Sequence, residues 1–368
     1  MDTSSRIDPE ISRRLDLLKF LLVVGVVLIH AERAIHAYMP DPGLALRVVN
    51  TFLGWNLLQV CVPMLFVISG FLFATSSPSP GLREYLRMLG RKLSTIGLPY
   101  LFFNTLAVLI ILAFRKFPYI GDIHTLEERG IFSLITGIGG LPIISPLWFL
   151  RDLLFLFALS PLFRFLAGRV PLAGLAAVFL VWNLPFGAYL GGLETRGVFF
   201  FFAGYVLAAT RSRLDMAQGA SAAIGVAYVL LLVCGTYMDV EGAPDYAAYV
   251  VKNVGALLGV PFFWRLSAIP ALRDSRVLAA LSGYAVFLYL LHEPTLSLII
   301  YLSRFVFVPA GTFGGLFLYL STAAVTVALV LWTGVLLVSH APAVYGFLTG
   351  FRYPARTCGA AGSEGRGA

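Results

Sequence analysis

Apolar runs of about 17 to 25 residues, long enough to cross a bilayer as a helix, recur from one end of this chain to the other. No other feature restricts the fold as strongly. Hydrocarbon offers the backbone no water, so each run has to satisfy its own amides as a helix. Of 368 residues, 59% are hydrophobic and 12% charged, so nearly every position belongs to a span or a short connection. The sequence predicts an all-α polytopic membrane protein: one domain over residues 1–350, then a disordered Gly-, Ala- and Ser-rich tail over 351–368.

A sliding apolar window predicts a bundle of about ten transmembrane helices, near residues 15–37, 50–76, 96–114, 147–166, 170–190, 197–210, 220–238, 247–265, 279–301 and 314–338. The connections alternate in charge. One set carries Arg13 and Arg14, the group Arg83, Arg87, Arg91 and Lys92, then Arg164, Arg169, Arg211, Arg213, Arg265, Arg273, Arg276, Arg352 and Arg356. The other holds Asp41, Glu127, Glu128, Glu194, Asp239, Glu241 and Asp245. By the positive-inside rule both termini are expected in the cytoplasm, with the bundle in the inner membrane. Topology thus accounts for the net charge of +8 without a nucleic-acid partner.

The first apolar run reads as a retained helix rather than a secretory signal, because His30, Glu32 and Arg33 stand where cleavage needs small residues. Cys61, Cys234 and Cys358 are scattered, so neither a metal site nor a disulfide framework is expected. The connection near 115–146, rich in Gly and Pro, reads as an irregular lid or loop on the outside.

Against this background the intramembrane polar residues mark the candidate site, since a charged group at that depth costs about 3 kcal/mol. At about 100° and 1.5 Å per residue, Asp16 and Lys19 fall on the His30 stripe of the first helix, within about 40° and 20°. That stripe predicts a polar groove running about 16 to 21 Å from the basic interface. His292 and Glu293 interrupt the ninth run, while Trp148 and Arg151 share a face at the start of the fourth. Arg151 there suits a carbonyl or a developing oxyanion. Pro63, Ser69 and Gly70 in the second span would bend it and admit a ligand or another backbone. Arg83, Arg87, Arg91 and Lys92 form a basic face for phosphates of a nucleotide-bearing cofactor or of anionic lipid. Competing readings are interfacial anchoring for the arginines and lysines, and plain helix packing for Ser69-Gly70.

Five segments together resemble the acyltransferase-3 family of integral membrane O-acyltransferases, which acylate O-antigen sugars, peptidoglycan and related glycans. They are RRLDLLKFLLVVGVVLIH, VPMLFVISGFLF, RKLSTIGLPY, PLWFLRDLL and LYLLHEP, in the family's order from residue 13 to about 294. Lys19 stands where the family often has arginine, and no fused extracytoplasmic hydrolase-like domain is evident. The resemblance implies transfer from cytosolic acyl-CoA, acetyl-CoA foremost, to a glycan or lipid-linked sugar on the far side of the membrane, without a metal. His30 would match the family's essential histidine and Arg14 its essential arginine.

The expected roles follow. His30 acts as general base, with His292, Glu293 and Arg151 beside it; Arg14, Asp16, Lys19, Arg91 and Lys92 hold the donor; Ser69, Gly70 and Trp148 line the substrate cavity. The sequence leaves two alternatives open. One is a transporter or flippase using the same charges as its path, though no internal repeat supports it; the other is a scaffolding membrane subunit.

Overall fold

The computed structural model describes residues 7–76, 81–184, 189–190, 192–210 and 218–354. Arg211, Arg213, Arg356, Cys358 and the expected tail beyond 354 lie outside the described residues. Within them the protein is helical, apart from loops and two small antiparallel hairpins, Lys116–Phe117 with Gly121–Asp122 and Tyr189–Leu190 with Leu193–Glu194.

Helical segments occupy all ten expected spans, in order. They begin with α1 (Pro9–Ala31), α2 (Leu44–Ser76) and α3 (Leu82–Phe114). The fourth span divides into α4 (Trp148–Ala158) and α5 (Ser160–Arg169), because Pro161 cannot continue the amide ladder. Then come α6 (Pro171–Asn183), α7 (Thr195–Ala209), α8 (Gln218–Val240), α9 (Asp245–Leu266), α10 (Ala285–Ser303) and α11 (Gly311–His340). Helices α2, α3, α9, α10 and α11 are long and apolar enough to cross a membrane, as is Ser221–Val240 within α8; α6 and α7 are shorter apolar helices.

Two boundaries differ from the sequence reading for local reasons. Helix α1 starts at Pro9 because the Asp8 carboxylate accepts the Glu10 N–H at 2.7 Å, and a proline in the first turn has no ladder bond to lose. The basic stretch expected as a loop before the third span is the first part of α3. A π-helical turn at Leu93–Gly97 joins it to the segment carrying Pro99.

Helix α1 packs against α2, α10 and α11 and buries Leu15, Leu18, Phe20, Val26 and Val27 among them. Between spans, association rests on close packing rather than on release of water. The tightest crossing joins α2 to α7, where a Cβ at Gly70 would stand 2.0 Å from the Phe201 carbonyl oxygen and one at Gly204 2.0 Å from that of Val67.

The 115–146 connection is a folded cap rather than an irregular lid. Its helices Ile123–Arg129 and Ile131–Thr136 bury Leu126 and Leu134, and the Ile144 N–H donates to Asn104 Oδ1 of α3 at 3.1 Å. At its start, the backbone N–H and hydroxyl of Thr125 hold the Asp122 carboxyl below the usual carboxylate range. Past residue 350 the fold continues: the Tyr353 hydroxyl donates to the Pro342 carbonyl at 3.2 Å.

Candidate functional site

Helix α1 ends just beyond His30, and after Glu32 the chain resumes as a short helix, Arg33–Tyr38. His30 and Arg33, three residues apart, therefore share a face, and that face meets α10. There His292 and Glu293 precede Pro294, whose missing N–H and bulky ring disturb the ladder at this level.

The His30 and His292 ring centroids are 5.5 Å apart. Arg33 Nη1 lies 2.6 Å from Glu293 Oε1 and also reaches the Tyr119 carbonyl at 3.3 Å, while Nε donates to the His30 carbonyl at 3.2 Å. Glu293 Oε2 stands 4.0 Å from His30 Nδ1, beyond hydrogen-bond length. His292 Nδ1 is 2.7 Å from the Tyr289 carbonyl, which can only accept; Nδ1 carries the proton, and Nε2 of the neutral ring is left as an acceptor.

Polar atoms are left over in this cluster. Among the described residues, His292 Nε2, Glu293 Oε2, Arg33 Nη2 and, one turn along α10, Ser297 Oγ have no hydrogen-bond partner. Each unsatisfied buried group costs about 1 to 3 kcal/mol, so these atoms together suit a group that brings donors and acceptors of its own. Access is from the α1 side: the side chains of His30 and Arg33 are 27% and 32% exposed, against 3% for Glu293.

A second feature lies nearer the basic end of the bundle. A cavity of about 310 Å³ is lined by α1, α2, α3, α4, α10 and the segment after α11. Lys19, Lys92 and Arg352 contribute cations to it, Leu72, Phe73 and Phe157 contribute apolar wall, and it reaches as far as Phe149 and Tyr289. Along α1 it includes Lys19 and Val23 but not His30. Tyr289 touches both features, since its ring lies 5.7 Å from that of His292.

The sequence-predicted residues fall into several groups. The structure brings His30, His292 and Glu293 together, and it places Lys19, Lys92 and Ser69 on the cavity. Asp16 pairs with Lys19 at 2.6 Å. Arg14 is turned away, toward α9 and the residues just past it: it donates to the Trp264 carbonyl at 2.8 Å and Ser267 Oγ at 3.2 Å, with its guanidinium 4.1 Å from the Trp264 ring. Arg91 is exposed and off the cavity. Gly70, expected on the cavity wall, lies instead at the α2–α7 crossing, where the adjacent backbone occupies the space its Cβ would need. Trp148 is also off the cavity, 6.0 Å from the Phe66 ring.

Arg151, expected beside the imidazoles, faces the cap. Its donors go to the carbonyls of Gly137 and Gly140 at 2.6 Å, to that of Gly192 at 3.2 Å and to Asp152 Oδ1 at 2.8 and 2.9 Å, which occupies the whole fork.

Sequence reasoning missed Arg33, whose spacing from His30 was the available signal, and Arg352 with Thr349, which reach the cavity because Gly350 turns the chain in the left-handed region (φ +65°).

A family model described as an acyltransferase domain matches residues 12–335. The chain is also similar to the succinoglycan biosynthesis protein ExoH of Rhizobium meliloti (strain 1021), with 26% identity over 306 residues, 79% of this chain and 80% of that protein. No solved structure matches it.

Proposed function

Because the chain belongs to the acyltransferase-3 family and is thus a membrane-embedded acyltransferase, we propose that it moves a short acyl group, acetyl foremost, from cytosolic acyl-CoA to a hydroxyl of a glycan or lipid-linked sugar on the other side of the inner membrane. Residues 1–350 form the catalytic domain in this reading, with both termini in the cytoplasm. The observation that carries it is the pairing of two unlike compartments at one ring. A cation-bearing, apolar-walled cavity is lined by Tyr289, and a cluster of unsatisfied polar atoms around His30 begins at the His292 ring next to it. Biosynthesis of a glycan by a relative of similar length supports a sugar acceptor.

The cavity suits the donor chemically. Lys19, Lys92 and Arg352 offer positive charge to phosphates, and the apolar wall suits an acyl–pantetheine arm, the nucleotide remaining at the rim. Arg14 holds α1 against α9, and so positions Lys19 and His30 from a distance. On the far side, His30 takes the proton of the acceptor hydroxyl as its oxygen attacks the thioester carbonyl. Arg33 Nη2, rather than the fully engaged Arg151, donates to the oxygen that becomes negative. As the C–S bond breaks, His30 returns the proton to the departing thiolate. Glu293 favours the transient imidazolium, and His292 Nε2 accepts from a neighbouring hydroxyl of the sugar to aim the attacking one.

Radiolabelled acyl-CoA supplied to inverted membrane vesicles tests this. Label appears in a glycan if the reading is right, and is lost with His30→Ala. Movement of solute without consumption of thioester would replace it with a transport function.

A further inference from the structure

Tyr289 is the residue common to the two compartments. Its ring borders the cavity, meets the Phe149 ring edge-on at 5.7 Å and 66°, and lies 5.7 Å from the His292 ring, which in turn is 5.5 Å from His30. Both rings of the wall are more than nine-tenths buried. The Tyr289 hydroxyl donates to the Pro146 carbonyl in the turn leading into α4, and its own carbonyl accepts from His292 Nδ1. The hydroxyl tie fixes where the Tyr289 ring stands, on the cavity wall and next to the His292 ring.

We propose that the Tyr289–Phe149 pair is the acyl gauge of the enzyme: it is the wall against which the acyl chain of the donor packs while the thioester carbonyl stays open to His30, and so it sets which acyl chain lengths are accepted. The proposal rests on the donor assignment above. A donor held by its phosphates among Lys19, Lys92 and Arg352 enters acyl end first, so its acyl group is the part that meets this wall. The aromatic ring carries the length limit; the hydroxyl tie only fixes where the ring stands.

The test compares wild type with Tyr289→Ala, Tyr289→Phe and Phe149→Ala, using acetyl-, butyryl- and hexanoyl-CoA. Tyr289→Ala is expected to shift the preference toward hexanoyl over acetyl at least tenfold. Phe149→Ala shifts the preference the same way by less, and Tyr289→Phe keeps the wild-type length profile within twofold. Since Tyr289→Ala also loses a contact with His292, the profile is read a second time as relative binding of the three thioesters in a His30→Ala background. An unchanged profile for Tyr289→Ala, in turnover or in binding, overturns the gauge and leaves the donor assignment standing. Failure of the wild-type protein to bind any of the three removes the donor assignment itself.

Discussion

Two pairs of an arginine with a buried carboxylate look alike in composition and differ in completeness. In Arg151–Asp152 every guanidinium donor has an acceptor, and the second carboxylate oxygen accepts the Glu194 N–H at 3.1 Å. In Arg33–Glu293 one guanidinium nitrogen with both its N–H donors and one carboxylate oxygen are left over, next to an unpaired His292 Nε2. The first pair ties the 115–146 cap and the hairpin ending at Glu194 to the start of α4, and with its bonds complete it has no donor left for a substrate. The second tolerates an energetic penalty that packing alone gives no reason to keep. Buried charge by itself says little about function, and unfinished hydrogen bonding says more.

Substitutions should separate the pairs cleanly. The largest effect is expected for His30→Ala beside the incomplete pair: transfer falls by a thousandfold or more, about 4 kcal/mol in barrier, with an unchanged melting temperature in detergent. Transfer within tenfold of wild type by the folded variant would take His30 out of the chemistry. Next is Arg151→Ala, which strands Asp152 and three glycine carbonyls. It should lower stability by about 3 kcal/mol, seen as a lower melting temperature and poor recovery of monodisperse protein. A stable Arg151→Ala protein with greatly reduced turnover would reverse the roles assigned to the two arginines. Glu293→Gln retains an acceptor for Arg33 but removes the charge near His30; turnover should drop about 10- to 100-fold at nearly constant stability.

Much of this was legible in the sequence, for identifiable reasons. The positions and order of the apolar helices follow from the length of apolar runs, which bilayer thickness fixes. His30, His292 and Glu293 stood out because ionisable groups are rare in such runs. Arg33 did not, since an arginine at the end of a span reads as an interfacial anchor, and only the facing helix reveals its carboxylate. Arg151 was misjudged because its acceptors are backbone carbonyls 11 and 14 residues upstream and 41 downstream, which no side-chain pattern encodes. Gly70 illustrates a similar limit: a small residue in a span admits either a ligand or another helix, and the sequence does not say which. Arg352 reaches a cavity bordered by Lys19 through a fold-back that only tertiary structure displays.

The smallest expected effect concerns the cavity's own cations, and it carries the comparison of complete and incomplete pairing to the donor side. Lys19 is matched by Asp16 at 2.6 Å, whereas Lys92 lies over the Phe157 ring at 4.7 Å, an attraction that leaves its charge available to a phosphate. Lys92→Gln should therefore raise KM for acyl-CoA about fivefold, roughly 1 kcal/mol of binding, with kcat unchanged. Lys19→Gln should raise it no more than about twofold, because a partnered charge gives up less. Asp16→Asn should lower KM slightly by releasing Lys19, and added salt should shrink all three differences. Equal effects from the two lysines would mean that pairing in the unliganded protein does not govern donor binding, and an unchanged KM in Lys92→Gln would remove the rim from the donor site.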